Sequence, residues 1–195
     1  MKNNKIRVAV FTDGSNFYFK LKSLNLINTS SFNFKKFINW LYRDRTVVYK
    51  GYYIGVVRAE ANNKKGQELR KAQIKLFNFL RSKEQGFVIK KGYLMKNDGV
   101  YHEKGVDVQL AVDILIGAYE NTYDTAIIIS SDTDLLPAME KAKALGKQIE
   151  YIGFAHQPSF AMQRYATLSR LLIKEELEVF VNLESNKKNN PKDNS

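Results

Sequence analysis

Up to about residue 180 the chain alternates short, continuous apolar runs with longer stretches of helical periodicity. Ile6–Thr12 (IRVAVFT) is apolar without alternation, the pattern of a strand buried on both faces. A polar turn, Asp13-Gly14-Ser15-Asn16, follows it, and a helix can start there. Asn33 to Arg43 reads as a helix. Thr46–Val57 (TVVYKGYYIGVV), rich in β-branched and aromatic residues, reads as a second strand. Lys64–Lys83 predicts a long helix, with Leu69, Ala72, Leu76 and Leu80 at helical spacing, Phe77 beside them, and Lys71 and Lys75 on a more polar face. Gly86–Lys90 is a third short strand, and Asn97-Asp98-Gly99 is a hairpin turn signal. Gly105–Tyr119 predicts a helix whose apolar face includes Val108, Ala111, Val112 and Leu115. Ala126–Ile129 is a buried fourth strand, Leu135–Leu145 a helix stopped by Gly146, and Gln148–Phe154 a fifth strand. Phe160–Tyr165 and about Leu168 to Phe180 read as mostly helical. Ser185–Ser195 (SNKKNNPKDNS) has no apolar residue and reads as a disordered tail, which leaves residues 1–184 as one domain.

Strands alternating with helices predict an α/β fold with parallel strands joined by crossovers. Ligands of such sheets bind at the carboxyl ends of the strands. That rule selects the polar residues to weigh. Asp13 directly follows the first strand, Asp132 and Asp134 follow the fourth, and Asp107 opens the helix before the fourth. If the first and fourth strands are neighbours, all four carboxylates can converge. Such a cluster is costly without a cation. A divalent ion relieves the repulsion, polarises a phosphate oxygen and activates water. Each aspartate also has a structural explanation. Asp132 can cap a helix whose positive end favours Asp134, Asp107 can do the same for its own helix, and Asp13 can be an ordinary turn residue. Asp113 lies about 240° around the helix from Asp107 and reads as structural.

Composition narrows the chemistry. Lysine and arginine total 31 against 20 acids, a formal charge of +11, which points to an anionic partner, with nucleic acid the leading candidate. A merely soluble basic protein would show the same charge. There is no cysteine, so disulfides and thiolate metal sites are excluded, and two histidines, His102 and His156, disfavour nitrogen-rich zinc sites. Any ion would be held by carboxylates, which favours Mg2+ or Mn2+. No apolar run approaches a membrane span, and the Ile6–Phe11 run is too short for a signal-peptide core, so a cytoplasmic protein is expected. Abundant lysine, asparagine and isoleucine suggest a bacterial source with an AT-rich genome.

Three segments, FTDGSNFY, KGVDVQLAVDILIGA and IIISSDTDLLPAMEKAKALGKQIEYIGF, resemble in order and separation the motifs of the NYN family, a branch of the PIN-like nucleases. The likeness runs from about Ile6 to Phe154. It implies a three-layer α/β/α sandwich with a parallel sheet of order 3-2-1-4-5 and Mg2+- or Mn2+-dependent cleavage of RNA, as an endonuclease leaving a 5′-phosphate and a 3′-hydroxyl. By position, Asp13, Asp107, Asp132 and Asp134 would be the metal-binding carboxylates, and Asn16 would orient a carboxylate or a bound water. Ser131 stands where the family commonly has glycine and Leu135 where an aromatic is common.

RNA would need basic surroundings around an acidic pocket. Arg58, after the second strand, and Lys64, Lys65 and Lys104 are the candidates, with Lys90 and Lys91 further ones. Singly, each also fits a solvated surface lysine or arginine. Phe17 and Tyr18 beside the first acidic loop fit base stacking or the core. Two other functions stay open. Haloacid dehalogenase-like phosphatases also place DxD after a strand, but no later strand here ends in their acidic pair. A non-catalytic RNA-binding or scaffold module is the other. A homodimer is open on sequence grounds.

Overall fold

The computed structural model describes residues 5–26, 32–57, 59, 62–97 and 100–181, with the backbone alone at 93–97 and 100–103. Arg58 and the Ser185–Ser195 tail lie outside the described residues. β1 (Arg7–Asp13) lies inside the sheet, as its unbroken apolar run requires, and Val8, Ala9, Val10 and Phe11 are all buried. It pairs in parallel with β2 (Thr46–Gly55) on one side and β5 (Thr125–Ile129) on the other. β3 (Val88–Asn97) adds in parallel to β2, and β4 (Val100–Lys104) folds back antiparallel on β3 as the expected hairpin. β6 (Gln148–Phe154) and β7 (Leu168–Leu172) extend the sheet in parallel beyond β5. The full order is β4-β3-β2-β1-β5-β6-β7. The expected order 3-2-1-4-5, which counts parallel strands alone, is present, with a sixth parallel strand added.

Helices cover both faces, giving the three-layer sandwich. On one side α1 (Gly14–Ser23), α2 (Phe34–Tyr42), α3 (Lys64–Arg81) and α7 (Lys174–Glu178) share a core with β1 and β2. Its centre is aromatic: Phe17, Phe32, Phe34 and Phe37 pack with centroids 5.1–5.7 Å apart. Phe17 is therefore a core residue and no base-stacking platform. On the other side α4 (Val106–Tyr119), α5 (Leu136–Ala144) and α6 (Phe160–Tyr165) pack over β1, β5 and β6.

Three expectations need correction. Leu168 to Phe180 is not mostly helical, because Leu168–Leu172 pairs with Glu150–Phe154 as β7 and only Lys174–Glu178 is helix. A short apolar run cannot be told apart by period, and here the open edge of β6 decides. Helix α4 turns a different face inward: Val106, Leu110, Ile114, Gly117 and Ala118 are buried, whereas Val108 is 67% and Val112 41% exposed. The helix is apolar nearly all round, so periodicity could not choose its face. In α3, Phe77 and Leu80 are buried as expected, but Leu69 is exposed and Gly66 takes the inner position a turn earlier.

Candidate active site

The sheet brings the expected acids to one edge. β1 and β5 are paired neighbours, with Thr12 beside Ile129, so the segments after both strands emerge side by side. Asp13 ends β1 and caps α1. Its Oδ1 accepts the Asn16 backbone N–H at 2.9 Å, and its Oδ2 accepts the Ser130 hydroxyl at 2.9 Å. The turn is tight because Gly14 lies against β2: a Cβ there would sit 2.4 Å from the Tyr52 ring. The Ser130 hydroxyl oxygen in turn accepts the Asp132 backbone N–H at 3.1 Å, joining the two acidic loops. Asp132 caps a short 3-10 turn, Thr133–Leu135, by accepting the Asp134 N–H at 2.9 Å. Asp107 lies in the first turn of α4, which Gly105 enters in the left-handed conformation, φ 81°.

Electrostatics register the convergence. Burial pushes the Asp13 carboxyl up to about 6, against the two hydrogen bonds from Asn16 and Ser130 that favour its charged form. The charges of Asp107 and Asp132 push it up further. Asp107 is also raised, first by burial, then by Asp132, with Asp134 adding to it and a backbone hydrogen bond opposing. Carboxylates from three separate segments thus feel one another. The capping explanations of Asp13 and Asp132 hold as well, since the same side chains that cap also carry the cluster.

The remaining candidates divide. Asn16 contributes its backbone N–H to Asp13, while its side-chain Oδ1 is buried with no hydrogen-bond partner among the described residues. Lys104, Lys64 and Lys65 are exposed, the first just before α4 and the others in the first turn of α3. Lys90 pairs with Asp113 at 3.2 Å. Asp113 also accepts the Tyr53 hydroxyl and the Gln109 amide, a structural role as expected. Lys91 lies over the Phe77 ring, 5.3 Å from its centroid. His156 hydrogen-bonds Ser23 at 2.7 Å, away from the acids' partners. Leu135, in the place of an aromatic, is buried, and the Ser131 hydroxyl meets that of Tyr151 at 3.3 Å. Ser130 was not among the expected residues. Its signal, a hydroxyl ending an all-apolar run, carries meaning only once β1 is known to lie beside β5.

The fit to a cation has two sides. The donor set is all oxygen, it includes a buried carboxylate and an amide oxygen at Asn16 that have, respectively, no cationic and no hydrogen-bond partner among the described residues, and that chemistry suits a hard divalent ion. Among the described residues, however, no three histidine, cysteine, aspartate or glutamate side chains are grouped so as to hold an ion as they stand. No helix among the described residues is long and apolar enough to cross a membrane.

Comparison with known proteins agrees with this architecture. A protein of unknown function from Vibrio parahaemolyticus RIMD 2210633, VPA0982, superposes with a TM-score of 0.68 over 93% of this chain and 99% of its own, at 19% identity, a likeness of fold alone. Uncharacterized protein MJ0482 of Methanocaldococcus jannaschii is 39% identical over 61 residues, which are 31% of this chain and 25% of that protein. The chain therefore spans about a quarter of the length of that relative. The NYN domain model matches residues 7–170, nearly the whole sheet and every acid of the cluster, and the chain belongs to the NYN domain family, with its PIN-like nuclease fold.

Proposed function

We propose that this protein is a metal-dependent ribonuclease, cutting RNA internally by hydrolysis of phosphodiester bonds. The observation that carries the proposal is the coupling of Asp13, Asp107, Asp132 and Asp134 at the carboxyl edge of β1 and β5, with Asp13 buried and pushed up to about 6. A fold seeking stability alone would not gather like charges there. Asp13 and Asp132 would hold the principal Mg2+ or Mn2+, with Asp107 and Asp134 completing the site. When bound, such an ion supplies a polarised phosphate oxygen and an activated water.

The chain's own groups do the positioning. The Asn16 N–H and the Ser130 hydroxyl fix both oxygens of Asp13 and stabilise its charged form against burial. Ser130 couples that geometry to the Asp132 loop. The Asn16 Oδ1, buried with no hydrogen-bond partner among the described residues, would accept a hydrogen bond from a bound water. Lys104, Lys64 and Lys65, with Arg58 as read from the sequence, would supply positive charge for the RNA backbone.

A second reading, a non-catalytic RNA-binding module of the same fold, is favoured by the lack of a ready three-acid grouping among the described residues. Labelled single-stranded and hairpin RNAs, incubated in Mn2+, Mg2+ or EDTA with the wild type and Asp132→Asn, separate the two. The nuclease requires metal-dependent cutting that the variant loses. A folded protein that binds RNA and cuts nothing under any condition sinks it in favour of the module.

A further inference from the structure

Two lines of contacts lead away from the acids along the carboxyl edge of the sheet and meet again. The first follows α1. Phe19 and Lys20 lie three and four residues after Asn16, on the same side of the helix, and Ser23 continues that side. Lys20 is about 6 Å along the axis from Asn16, and Ser23 about 10 Å. The second line follows β6. Tyr151 lies along the strand over Gly153, where a Cβ would sit 2.3 Å from its hydroxyl. That hydroxyl meets the Ser131 hydroxyl, next to Asp132, at 3.3 Å and accepts the Ser159 backbone N–H at 3.3 Å. Phe160, next in the chain, therefore stands beside the acidic loop. At 79% it is the most exposed large apolar side chain among the described residues. The two lines join where Lys20 donates to the Gln157 carbonyl and side-chain oxygens at 3.1 and 3.0 Å, and where His156 Nε2 hydrogen-bonds the Ser23 hydroxyl at 2.7 Å.

Lys20 and His156 pair with no carboxylate among the described residues. Burial lowers the Lys20 ammonium, and burial, then Lys20, lowers His156. An anion beside them would offset both effects. Phe19, 62% exposed, adds a second open ring next to Lys20. An apolar partner has no use for the basic groups, and a simple anion has none for the rings. A nucleotide, with its phosphate and its aromatic base, uses both. We propose, resting on the ribonuclease reading of the neighbouring acids, that Lys20, His156, Phe19 and Phe160 form a subsite for unpaired RNA next to the bond that is cut. Lys20 and His156 hold a backbone phosphate. Phe19 and Phe160 stack on the bases beside it. A duplex, whose bases already stack on one another, engages the phosphate contacts alone.

Fluorescence anisotropy with a labelled single-stranded RNA of about ten nucleotides tests this, in EDTA so that nothing is cut. Phe160→Ala and Phe19→Ala should each raise Kd about tenfold, whereas Phe160→Tyr, which keeps a ring, should bind as the wild type does. Lys20→Gln should weaken binding and reduce the slope of log K against log salt by about 0.7. Tyr119→Ala, equally exposed but at the far end of α4, should change nothing. A matched RNA duplex should bind more weakly and ignore Phe160→Ala. Phe160 and Phe19 are exposed, so circular dichroism and Tm should not move. A wild type that binds no single strand overturns the subsite. A wild type that cuts RNA in Mn2+ while Phe160→Ala and Lys20→Gln alter neither Kd nor KM also overturns it and leaves the nuclease standing. Variants that lose binding in a protein that cuts nothing keep the subsite and sink the nuclease.

Discussion

The two ends of strand β1 hold aspartates under opposite electrostatic conditions. At the amino end Asp124 accepts the Arg7 backbone N–H at 2.8 Å and two guanidinium nitrogens at 2.6 and 3.2 Å, and Arg7 holds its carboxyl below the usual range. At the carboxyl end Asp13 is buried, faces Asp107 and Asp132, and is pushed up to about 6. One end is electrostatically satisfied and the other is not. The fold tolerates the difference because the aromatic core under α1 and α2 and the paired strands hold the acidic loops regardless of their charge. Local conflict of this kind, inside an otherwise consistent structure, is where function is expected.

The largest effect should come from breaking the carboxyl end. Asp132→Asn or Asp13→Asn should lower RNA cleavage on the order of 10²-fold or more, measured at saturating Mn2+. Asp124→Asn should leave cleavage unchanged.

Stability should answer in the opposite sense. In EDTA at pH 7.5, Asp13→Asn should be more stable than the wild type by up to about 3 kcal/mol in urea unfolding, since a buried charge is removed. Mn2+ should raise the Tm of the wild type and not of the variant.

The pH dependence sharpens the contrast. Asp13 has a folded-state value raised above the ordinary one, so its contribution is fully present below the usual carboxylate range, about 4, and is lost as pH rises through about 6. Asp124 has a lowered value, so its contribution is present above about 4 and is lost as pH falls through the folded value. The gain from Asp13→Asn should therefore shrink from pH 7.5 to pH 4.5, and a gain that does not change with pH would contradict the burial account. Asp124→Asn should lower Tm at pH 7 by less than Asp13→Asn raises it, and its effect should vanish in strong acid.

Ser130→Ala tests the link between the two acidic loops. It removes a donor to Asp13 and an acceptor for Asp132, and it should cost about 1 kcal/mol of stability. Cleavage should fall about 10- to 100-fold, as for other groups that orient metal ligands.

Much of this molecule was legible in its sequence. β1, β2, β5 and β6 are dense in β-branched and aromatic side chains, and the turn at Asn97-Asp98-Gly99 announced the β3–β4 hairpin. Asp13, Asp132 and Asp134 stand directly after apolar runs, and a parallel sheet fixes which end of a strand faces ligand. β7 was not legible, because LSRLL becomes a strand only where β6 offers hydrogen-bonding groups along its open edge. Ser130 gained its role only from the Thr12–Ile129 pairing.

By itself, then, the sequence determined the alternation of strands and helices, the absence of thiolate chemistry, and the set of acids that could serve a cation. These follow from local propensity and side-chain chemistry, which do not depend on distant neighbours. The tertiary structure alone decided that burial makes Asp13 the most perturbed acid of the cluster, that Lys90 belongs to Asp113, and that α4 turns Val108 and Val112 outward. Each of these depends on which surface lies opposite, and an apolar helix or a lone carboxylate carries no record of that in its own few residues.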